Sequence, residues 1–311
     1  MKIILWGYPY KSDTLSYVWH GFFKAFRALG HEITWYEDTP DGRSVATFHE
    51  RFKDAVVICE EYQTKYLPIL ENTIYLVHTC IKPEKYLGKC KRLIDLRYNT
   101  DYQDHTTNYK YHLDRFQCEK IGPLAYFERS LDFDKLYLSW ATDLLPTEIN
   151  LADALTPREK ISYFIGTKYQ NGVNGHENAT ALNMWIKACQ DHKIDFCHID
   201  PWLTPVTDEE NHRLIRSSYL SPDLRAQRDI NIGYIPCRIF KNISYGQIGL
   251  TNSQAVHNAL EHLTIYHSDP HELFNLGVKY KENFARIQHQ MNYVRQNHTY
   301  INRVKSILSI L

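Results

Sequence analysis

The stretch Gly233–Asn252, GYIPCRIFKNISYGQIGLTN, carries the residues that are best suited by type and spacing to hold an anion. Arg238, Lys241 and Asn242 recur three and four residues apart, so they share one polar, cationic face of a predicted helix. Pro236 suits the first turn of that helix, where its missing N–H would be unpaired in any case. A helix that begins beside a ligand with an arginine on its first turn can bind a diphosphate. The same pattern also fits an ordinary amphipathic helix with solvated cations.

A second candidate anion site lies about 70 residues earlier in the chain. A predicted strand, Ile161–Ile165, is followed by Gly166, Thr167 and Lys168 and then by a predicted helix. Backbone N–H groups at the beginning of a helix stabilise a phosphate, and Lys168 would add a positive charge. Glycine-rich connections are common in α/β proteins, so the loop gains weight from its pairing with Arg238 in the same half of the chain.

Three further residues precede the central helix. Arg225 and Arg228 would either reach a pyrophosphate or contribute only to solubility, and Tyr234 would either stack on a base or sugar or pack at the helix entrance. We retain all three as candidate donor-binding residues.

The central stretch resembles the donor-site helix and following strand of GT-B-fold glycosyltransferases, in which the run P-x-R-x-F-E-x-x-A-x-G-x-x-x-x-T recurs. The matching residues here are Pro236, Arg238, Phe240, Gly246 and Thr251. Lys241 occupies the position of the family's glutamate, so that family's recognition of sugar or ribose hydroxyls does not carry over. The Gly166 loop is similar to the opening of the second domain in group 1 and CgeB-like members, with a more distant likeness to phage DNA glucosyltransferases.

The resemblance implies an α/β GT-B architecture of two Rossmann-like, doubly wound parallel-sheet domains that face each other across a cleft. Residues 1–155 would form the acceptor-side domain, 156–296 the nucleotide-sugar domain, and 297–311 a helix that returns to the first domain. The implied reaction moves a sugar from a UDP- or GDP-sugar to an acceptor hydroxyl without a metal or other cofactor. A sugar-nucleotide epimerase of the same fold and a non-catalytic two-lobed binding protein are the alternatives.

Predicted strands alternate with predicted helices in both halves of the chain, and these elements would position the candidate residues. Apolar residues with a period of 3.6 predict a helix over Thr14–Leu29, between strands at Lys2–Trp6 and Ile33–Tyr36, which is the βαβ unit of a parallel sheet. The further predicted elements are strands at Val56–Cys59, Thr73–Val77, Arg92–Leu96 and Leu136–Trp140, a helix within Tyr62–Leu70, and a short strand at Tyr219–Leu224.

Candidate catalytic groups lie at the carboxyl ends of the first-domain strands, where ligands bind in open parallel sheets. An inverting sugar transfer needs a base for the acceptor hydroxyl proton. His78 is the first candidate because histidine suits both the role of a base and that of a hydrogen-bond donor, followed by Asp13 and Glu60. Asp13 also fits the N-cap of the first helix, and a histidine at a strand end is often structural.

Composition limits the partners and the compartment. The 311 residues contain 36 Lys+Arg and 36 Asp+Glu, so no global field favours nucleic acid or an anionic membrane. No apolar run reaches the length of a transmembrane helix, the start of the chain lacks a signal-peptide pattern, and the seven cysteines show no paired spacing. These features predict a cytoplasmic protein with reduced cysteines. The Asp132–Asp134 motif precedes a strand and is interpreted as a turn, and no metal site is predicted.

Overall fold

The computed structural model describes residues 1–7, 14–39, 50–97, 118–168, 178–201 and 203–311. Within them the chain forms two compact units. Unit 1 contains the described residues up to Ser139 together with Tyr300–Leu311, and unit 2 contains Trp140–Thr299. The predicted α/β class with parallel sheets is confirmed in both units. No helix in the described ranges is long and apolar enough to cross a membrane.

Unit 1 is built on an eight-stranded sheet with the strand order β2-β1-β3-β4-β5-β8-β7-β6. The six strands from β2 to β8 in this order are parallel, and β7 and β6 extend the edge in antiparallel pairing. The strands are β1 (Lys2–Gly7), β2 (Glu32–Glu37), β3 (Val56–Glu60), β4 (Ile74–His78), β5 (Arg92–Arg97), β6 (Glu119–Gly122), β7 (Ala125–Glu128) and β8 (Asp134–Leu138). The β3 strand is buried along its whole length, as expected at the centre of a sheet that is covered on both faces.

The first helix, α1 (Thr14–Ala28), confirms the helix that the apolar periodicity predicts. Val18, Trp19, Phe22 and Phe26 recur at three- and four-residue intervals and are fully buried. Gly30 follows with a φ of +80°, the left-handed conformation that ends a helix at little cost for glycine.

The last helix of the chain, α9 (Tyr300–Leu308), belongs to unit 1 and packs on α1. The Tyr300 ring meets Phe22 edge to face with centroids 4.8 Å apart. Gly21 makes this approach possible, because a Cβ there would lie only 2.2 Å from the Tyr300 ring. A side chain at this position would push the two helices apart.

Unit 2 contains two pairs of parallel strands and seven helices among its described residues. The strands are β9 (Ile161–Ile165), which pairs with β10 (Asp195–Ile199), and β11 (Leu250–Thr251), which pairs with β12 (Ile265–Tyr266). The helices are α2 (Ala179–Asp191), α3 (Asp208–Ser217), α4 (Gln227–Asn231), α5 (Cys237–Ser244), α6 (Gln254–Ala259), α7 (Pro270–Tyr280) and α8 (Phe284–Asn297). As predicted, Asp269 caps α7, accepting hydrogen bonds from the N–H groups of His271 and Glu272.

The segment Tyr219–Leu224 lies between β9 and β11 but is not the regular strand that the sequence predicts. The Tyr219 N–H donates to the Ile161 carbonyl, and Asp223 forms an isolated parallel bridge with Thr251. Between these points, side chains replace ladder hydrogen bonds: the Ser162 hydroxyl donates to the Leu220 carbonyl at 2.8 Å. The two strand pairs of unit 2 are therefore joined by an interrupted connection.

The predicted helix within Tyr62–Leu70 is wrong. The structure has a single 3₁₀ turn, Glu61–Gln63, followed by an irregular segment. The Asp38 carboxylate accepts hydrogen bonds from the backbone N–H groups of Lys65 and Tyr66 at 3.0 and 2.8 Å. These donors are thereby withdrawn from helical bonding by a residue almost 30 positions away.

Candidate functional site

Arg238 lies in the first turn of α5 and is the centre of the candidate site. The N-cap residue of this helix is Pro236, which has no side-chain group to bond the first amides, and the first turn contains no acidic residue. The Arg238 guanidinium stacks over the Phe164 ring, with its Cζ atom 3.9 Å from the ring centroid. Its Nη1 atom is buried and has no hydrogen-bond partner among the described residues. An arginine held in this way can bind an anion.

Gly166 brings the backbone after β9 against the same guanidinium. A Cβ at Gly166 would lie 2.0 Å from Nη2 of Arg238, so any side chain would displace the arginine. The residue has a φ of +145°, in the region that favours glycine. The sequence-predicted combination of Gly166 with Arg238 is therefore a direct contact.

A second arginine, Arg225, lies within electrostatic range of Arg238 and is neutralised by a carboxylate. Its Nε atom is 2.9 Å from Oδ1 of Asp223, which is fully buried and accepts a further hydrogen bond from the Thr251 hydroxyl. The Asn252 side chain fixes the backbone of Arg225, accepting from its N–H at 2.7 Å and donating to its carbonyl at 3.1 Å. Arg225 is thus held in one place from both ends.

Within this group Arg225 has two carboxylates nearby, Asp223 and Asp229, whose Oδ2 is 4.0 Å from its Nη1, so an added anion would act chiefly on Arg238. Burial, with the nearby Arg225, lowers the pKa of Arg238 to about 10, so the guanidinium stays charged at neutral pH at an energetic cost. Burial raises the pKa of Asp223, which Arg225 opposes. A bound diphosphate would offset the desolvation of Arg238 and its repulsion with Arg225, and it would bond the unpartnered Nη1 atom.

Four other predicted donor-binding residues are Thr167, Lys168, Arg228 and Tyr234. The Thr167 carbonyl accepts a hydrogen bond from Asn178 at 3.1 Å, and the exposed Lys168 amine lies 3.5 Å from the Asn183 side-chain oxygen. Arg228, on α4, and Tyr234, just before α5, are both half-buried. Tyr234 lies within electrostatic range of Arg238.

Lys241 and Asn242 take part in other interactions. The Asn242 amide is buried and donates to the Ser221 carbonyl at 2.8 Å. The Lys241 amine lies 3.8 Å from Oδ1 of Asp143, which also accepts a 2.5 Å hydrogen bond from the Tyr245 hydroxyl. His212 lies 3.3 Å from the other carboxylate oxygen. Lys241 therefore balances a carboxylate of its own unit.

Replacing Asp143 by asparagine is expected to reduce stability and flatten its pH dependence. Burial alone would raise the pKa of Asp143, but Lys241, His212 and Tyr245 lower it below the ordinary value. A carboxylate of this kind stabilises the fold above its unfolded pKa of about 3.9 and loses that contribution as pH falls toward the folded value. In the wild type, the contribution of Asp143 to the free energy of unfolding should therefore fall by about 1.4 kcal/mol for each pH unit below pH 4.

Urea unfolding between pH 7 and pH 3 measures this effect. Asp143→Asn should lose about 1–3 kcal/mol at pH 7, because Lys241 and the Tyr245 hydroxyl lose this carboxylate, and its stability should decline less steeply in acid. Asp195→Asn, at an exposed position of the same unit, is the control. Parallel pH curves for Asp143→Asn and wild type would contradict the assignment.

Two of the three predicted catalytic residues meet at the carboxyl edge of the unit 1 sheet. His78 ends β4, Glu60 ends β3, and the two are opposite each other in the parallel register. Nδ1 of His78 contacts Oε2 of Glu60, and both side chains are buried, at 3% and 2% exposure. A carboxylate on one ring nitrogen fixes the tautomer and stabilises an imidazolium, as in general-base dyads. Asp13 lies outside the described residues.

Three residues of the candidate groups were not predicted from sequence. Asp223 neutralises Arg225, Phe164 supplies the ring under Arg238, and His198 contacts the Gly166 carbonyl through Nε2 at 2.7 Å. The D-x-R spacing of Asp223 and Arg225 was a usable signal, because alternate residues of an extended segment share a face. Phe164 and His198 are opposite each other in the β9–β10 register, which the sequence does not specify.

The structure offers little for a metal ion in its described part, where no group of three or more His, Cys, Asp or Glu side chains is placed to hold one. In the Asp132–Asp134 motif, Asp134 begins β8 and accepts hydrogen bonds from Nε and Nη2 of Arg92 at 2.8 and 2.6 Å. Asp134 is thus a partner of an arginine on β5.

Comparison with known protein families finds no match for this chain, and a search of curated proteins finds no relative. Among solved structures, the chain is similar to an α,α-trehalose-phosphate synthase (UDP-forming) from Burkholderia xenovorans in complex with glucose-6-phosphate. The two are 10% identical, with a TM-score of 0.48 over 95% of this chain and 78% of that one.

The chain is also similar to the spinosyn rhamnosyltransferase SpnG. The complex with thymidine diphosphate is 11% identical, with a TM-score of 0.37 over 99% of this chain and 100% of that one. A second SpnG structure gives 11% identity and a TM-score of 0.38 over 98% and 99%. These three TM-scores all lie below 0.5.

Proposed function

We propose that the protein is a glycosyltransferase that moves a sugar from a nucleoside diphosphate sugar to an acceptor hydroxyl, with arginines in place of a metal ion at the diphosphate. The observation that carries the proposal is Arg238, a half-buried residue whose Nη1 atom is buried without a hydrogen-bond partner in the described structure, at the beginning of α5 and against Gly166. Backbone amides at a helix N-terminus and a charged arginine together form a site for a phosphate group.

The proposed reaction needs a group that stabilises the leaving diphosphate and a base for the acceptor proton. The acceptor oxygen attacks the anomeric carbon of the sugar, and the bond from that carbon to the diphosphate oxygen breaks. The electron pair leaves with the nucleoside diphosphate, whose added charge Arg238 stabilises. The acceptor proton moves to His78, and Glu60 stabilises the resulting imidazolium. A base of this kind suits the configuration-inverting course.

A nucleotide panel tests the proposal. Thermal unfolding of the whole protein is measured with UDP, GDP, ADP, CDP and dTDP, each with EDTA and with Mg²⁺. A ligand at 100 times its Kd should stabilise the folded state by about 2.7 kcal/mol. We expect at least one diphosphate to raise the unfolding temperature equally with EDTA and with Mg²⁺. No shift with any of the five would overturn the proposal.

Turnover of the corresponding sugar nucleotide separates the reaction classes. A glycosyltransferase releases the nucleoside diphosphate in proportion to a new glycoside and only slowly without an acceptor. An epimerase of the same fold would release it together with an altered free sugar and need no acceptor. A non-catalytic binding protein would show the thermal shift and no release.

Replacing Gly166 by alanine is expected to weaken diphosphate binding about tenfold. The new Cβ would occupy the position of Nη2 of Arg238 and force the guanidinium away from the helix N-terminus. Gly88→Ala is the matched control, because Gly88 also has a left-handed φ, +73°, but no atom within 4 Å of the added Cβ. Both variants should lose about 1–2 kcal/mol of stability from backbone strain. Calorimetric titration with the diphosphate would show the loss of affinity only in Gly166→Ala, and equal affinities would contradict it.

A further inference from the structure

Trp19, on α1 of unit 1, has a buried indole N–H without a hydrogen-bond partner among the described residues. The residue is 1% exposed, and its Nε1 atom is unpartnered. Two other buried indoles are satisfied: Nε1 of Trp6 donates to Asp38 and Nε1 of Trp185 donates to Ser162, both at 3.0 Å. A buried donor left without a partner destabilises the fold, so its retention calls for a ligand or another explanation.

The unpartnered N–H lies close to the place that a side chain on Gly7, the last residue of β1, would occupy. A Cβ built on Gly7 would lie 3.7 Å from Nε1 of Trp19 and 3.7 Å from Cβ of Gln63, at ordinary van der Waals distance from both. Because Gly7 has no side chain, no Cβ stands between these two described residues, and we call the place of this absent Cβ the gap. Gly7 also has a φ of +155°, a conformation that other residues rarely adopt.

The position of this gap in the sheet is where open parallel sheets bind ligands. The strand order β2-β1-β3-β4 changes direction between β1 and β3, and ligands bind beyond the carboxyl ends of the strands at such a point. Gly7 ends β1, Glu60 ends β3 and His78 ends β4. The Trp19 ring meets the His78 ring nearly at right angles, with centroids 6.4 Å apart. The indole N–H and the Glu60–His78 pair thus belong to one neighbourhood.

We propose that Trp19 is a substrate-binding residue for a polyhydroxylated acceptor, a sugar or another polyol, and that its indole N–H donates a hydrogen bond to one acceptor oxygen. This inference rests on the proposed function. An indole N–H only donates, so its partner must offer a lone pair. A polyol meets both requirements of the site: one hydroxyl oxygen accepts from Trp19, and a neighbouring hydroxyl gives its proton to His78.

Nuclear magnetic resonance of the indole N–H groups tests the proposal without turnover. The whole protein is labelled with ¹⁵N-tryptophan, and the Trp19→Phe variant assigns the Trp19 signal while keeping an aromatic ring against Phe22. The protein is titrated with glucose, galactose, mannose, rhamnose and glycerol. We expect the Trp19 signal to shift along a saturating curve with at least one of them, while the Trp6 and Trp185 signals stay in place. No saturable Trp19 shift with any of the five, the result expected for a structural water on the indole, would overturn the proposal.

Kinetics distinguishes this inference from the proposed function. With the best polyol as acceptor, Trp19→Phe should raise the acceptor KM about tenfold and leave the donor KM and the diphosphate affinity unchanged, as expected for the loss of one hydrogen bond. An unchanged acceptor KM overturns the role of Trp19 and leaves the proposed function standing. Failure of wild-type protein to bind any diphosphate overturns the proposed function, whatever the Trp19 signal does.

Discussion

Replacing Arg238 by methionine is expected to reduce the affinity for a nucleoside diphosphate about 100-fold or more without lowering the stability of the ligand-free protein. The guanidinium would supply two or more charge-assisted hydrogen bonds to the diphosphate, each worth about 1.5–3 kcal/mol. Among the described residues its Nη1 atom is buried without a hydrogen-bond partner, so a methionine of similar length removes a desolvation cost.

Titration calorimetry and thermal unfolding give the two quantities on the same samples. Arg213→Met is the matched control, since Arg213 lies in the same unit but is 54% exposed at its side chain and pairs with Glu210. It should bind the diphosphate as the wild type does. If Arg238→Met keeps wild-type affinity, α5 is not part of a donor site. If instead it unfolds at a clearly lower temperature, Arg238 has a structural role.

Replacing Arg303 by alanine should destabilise unit 1 by about 3 kcal/mol or more. The Arg303 side chain is fully buried in α9, where Nε donates to the Ser139 carbonyl at 2.8 Å and Nη1 to the Pro123 carbonyl at 2.7 Å. Nη2 donates to the Ser139 hydroxyl at 3.0 Å. Alanine would leave these acceptors buried without their donors and open a cavity under the helix.

Urea unfolding followed by circular dichroism measures the loss. Lys305→Ala is the control on the same helix, because Lys305 is exposed and its replacement should change stability by no more than about 0.5 kcal/mol. Similar stabilities for the Arg303 and Lys305 variants would show that α9 is held by its apolar contacts alone.

Local sequence patterns predicted the elements whose apolar side chains all pack into one core. The helix α1 was predicted within one residue of its observed end, because Trp19, Phe22 and Phe26 repeat at the helical period and all face the same core. The predicted strands of unit 1 lie within a few residues of their observed bounds for the same reason.

Elements that depend on distant side chains were not predictable. The segment after β3 has apolar residues at helical spacing, but its amides bond to the Asp38 carboxylate, which no local pattern reveals. The connection between β9 and β11 reads as a strand, but Ser162 and Asn242 bond its carbonyls through their side chains. In both cases a hydrogen bond across the fold replaces a regular backbone bond.

For the candidate site, too, sequence patterns predicted some features and not others. Motif spacing identified Arg238 and Gly166 as neighbours, but it gave no means of seeing that the guanidinium is buried or that Asp223 neutralises Arg225. Lys241 shares a sequence-predicted helical face with Arg238, and the pairing of its amine with Asp143 comes from a residue almost 100 positions away. The role of each donor-binding residue stays a prediction until nucleotide binding is measured.

The division of unit 1 between the two ends of the chain has a consequence during synthesis. The helix α9 packs against Phe22 and bonds to Ser139. It is synthesised only after the whole of Trp140–Thr299. At about 5–20 residues per second this delay is roughly 10–30 s. Throughout it, the nascent first segment exposes an apolar groove on α1, which makes it a client for chaperones that bind such surfaces.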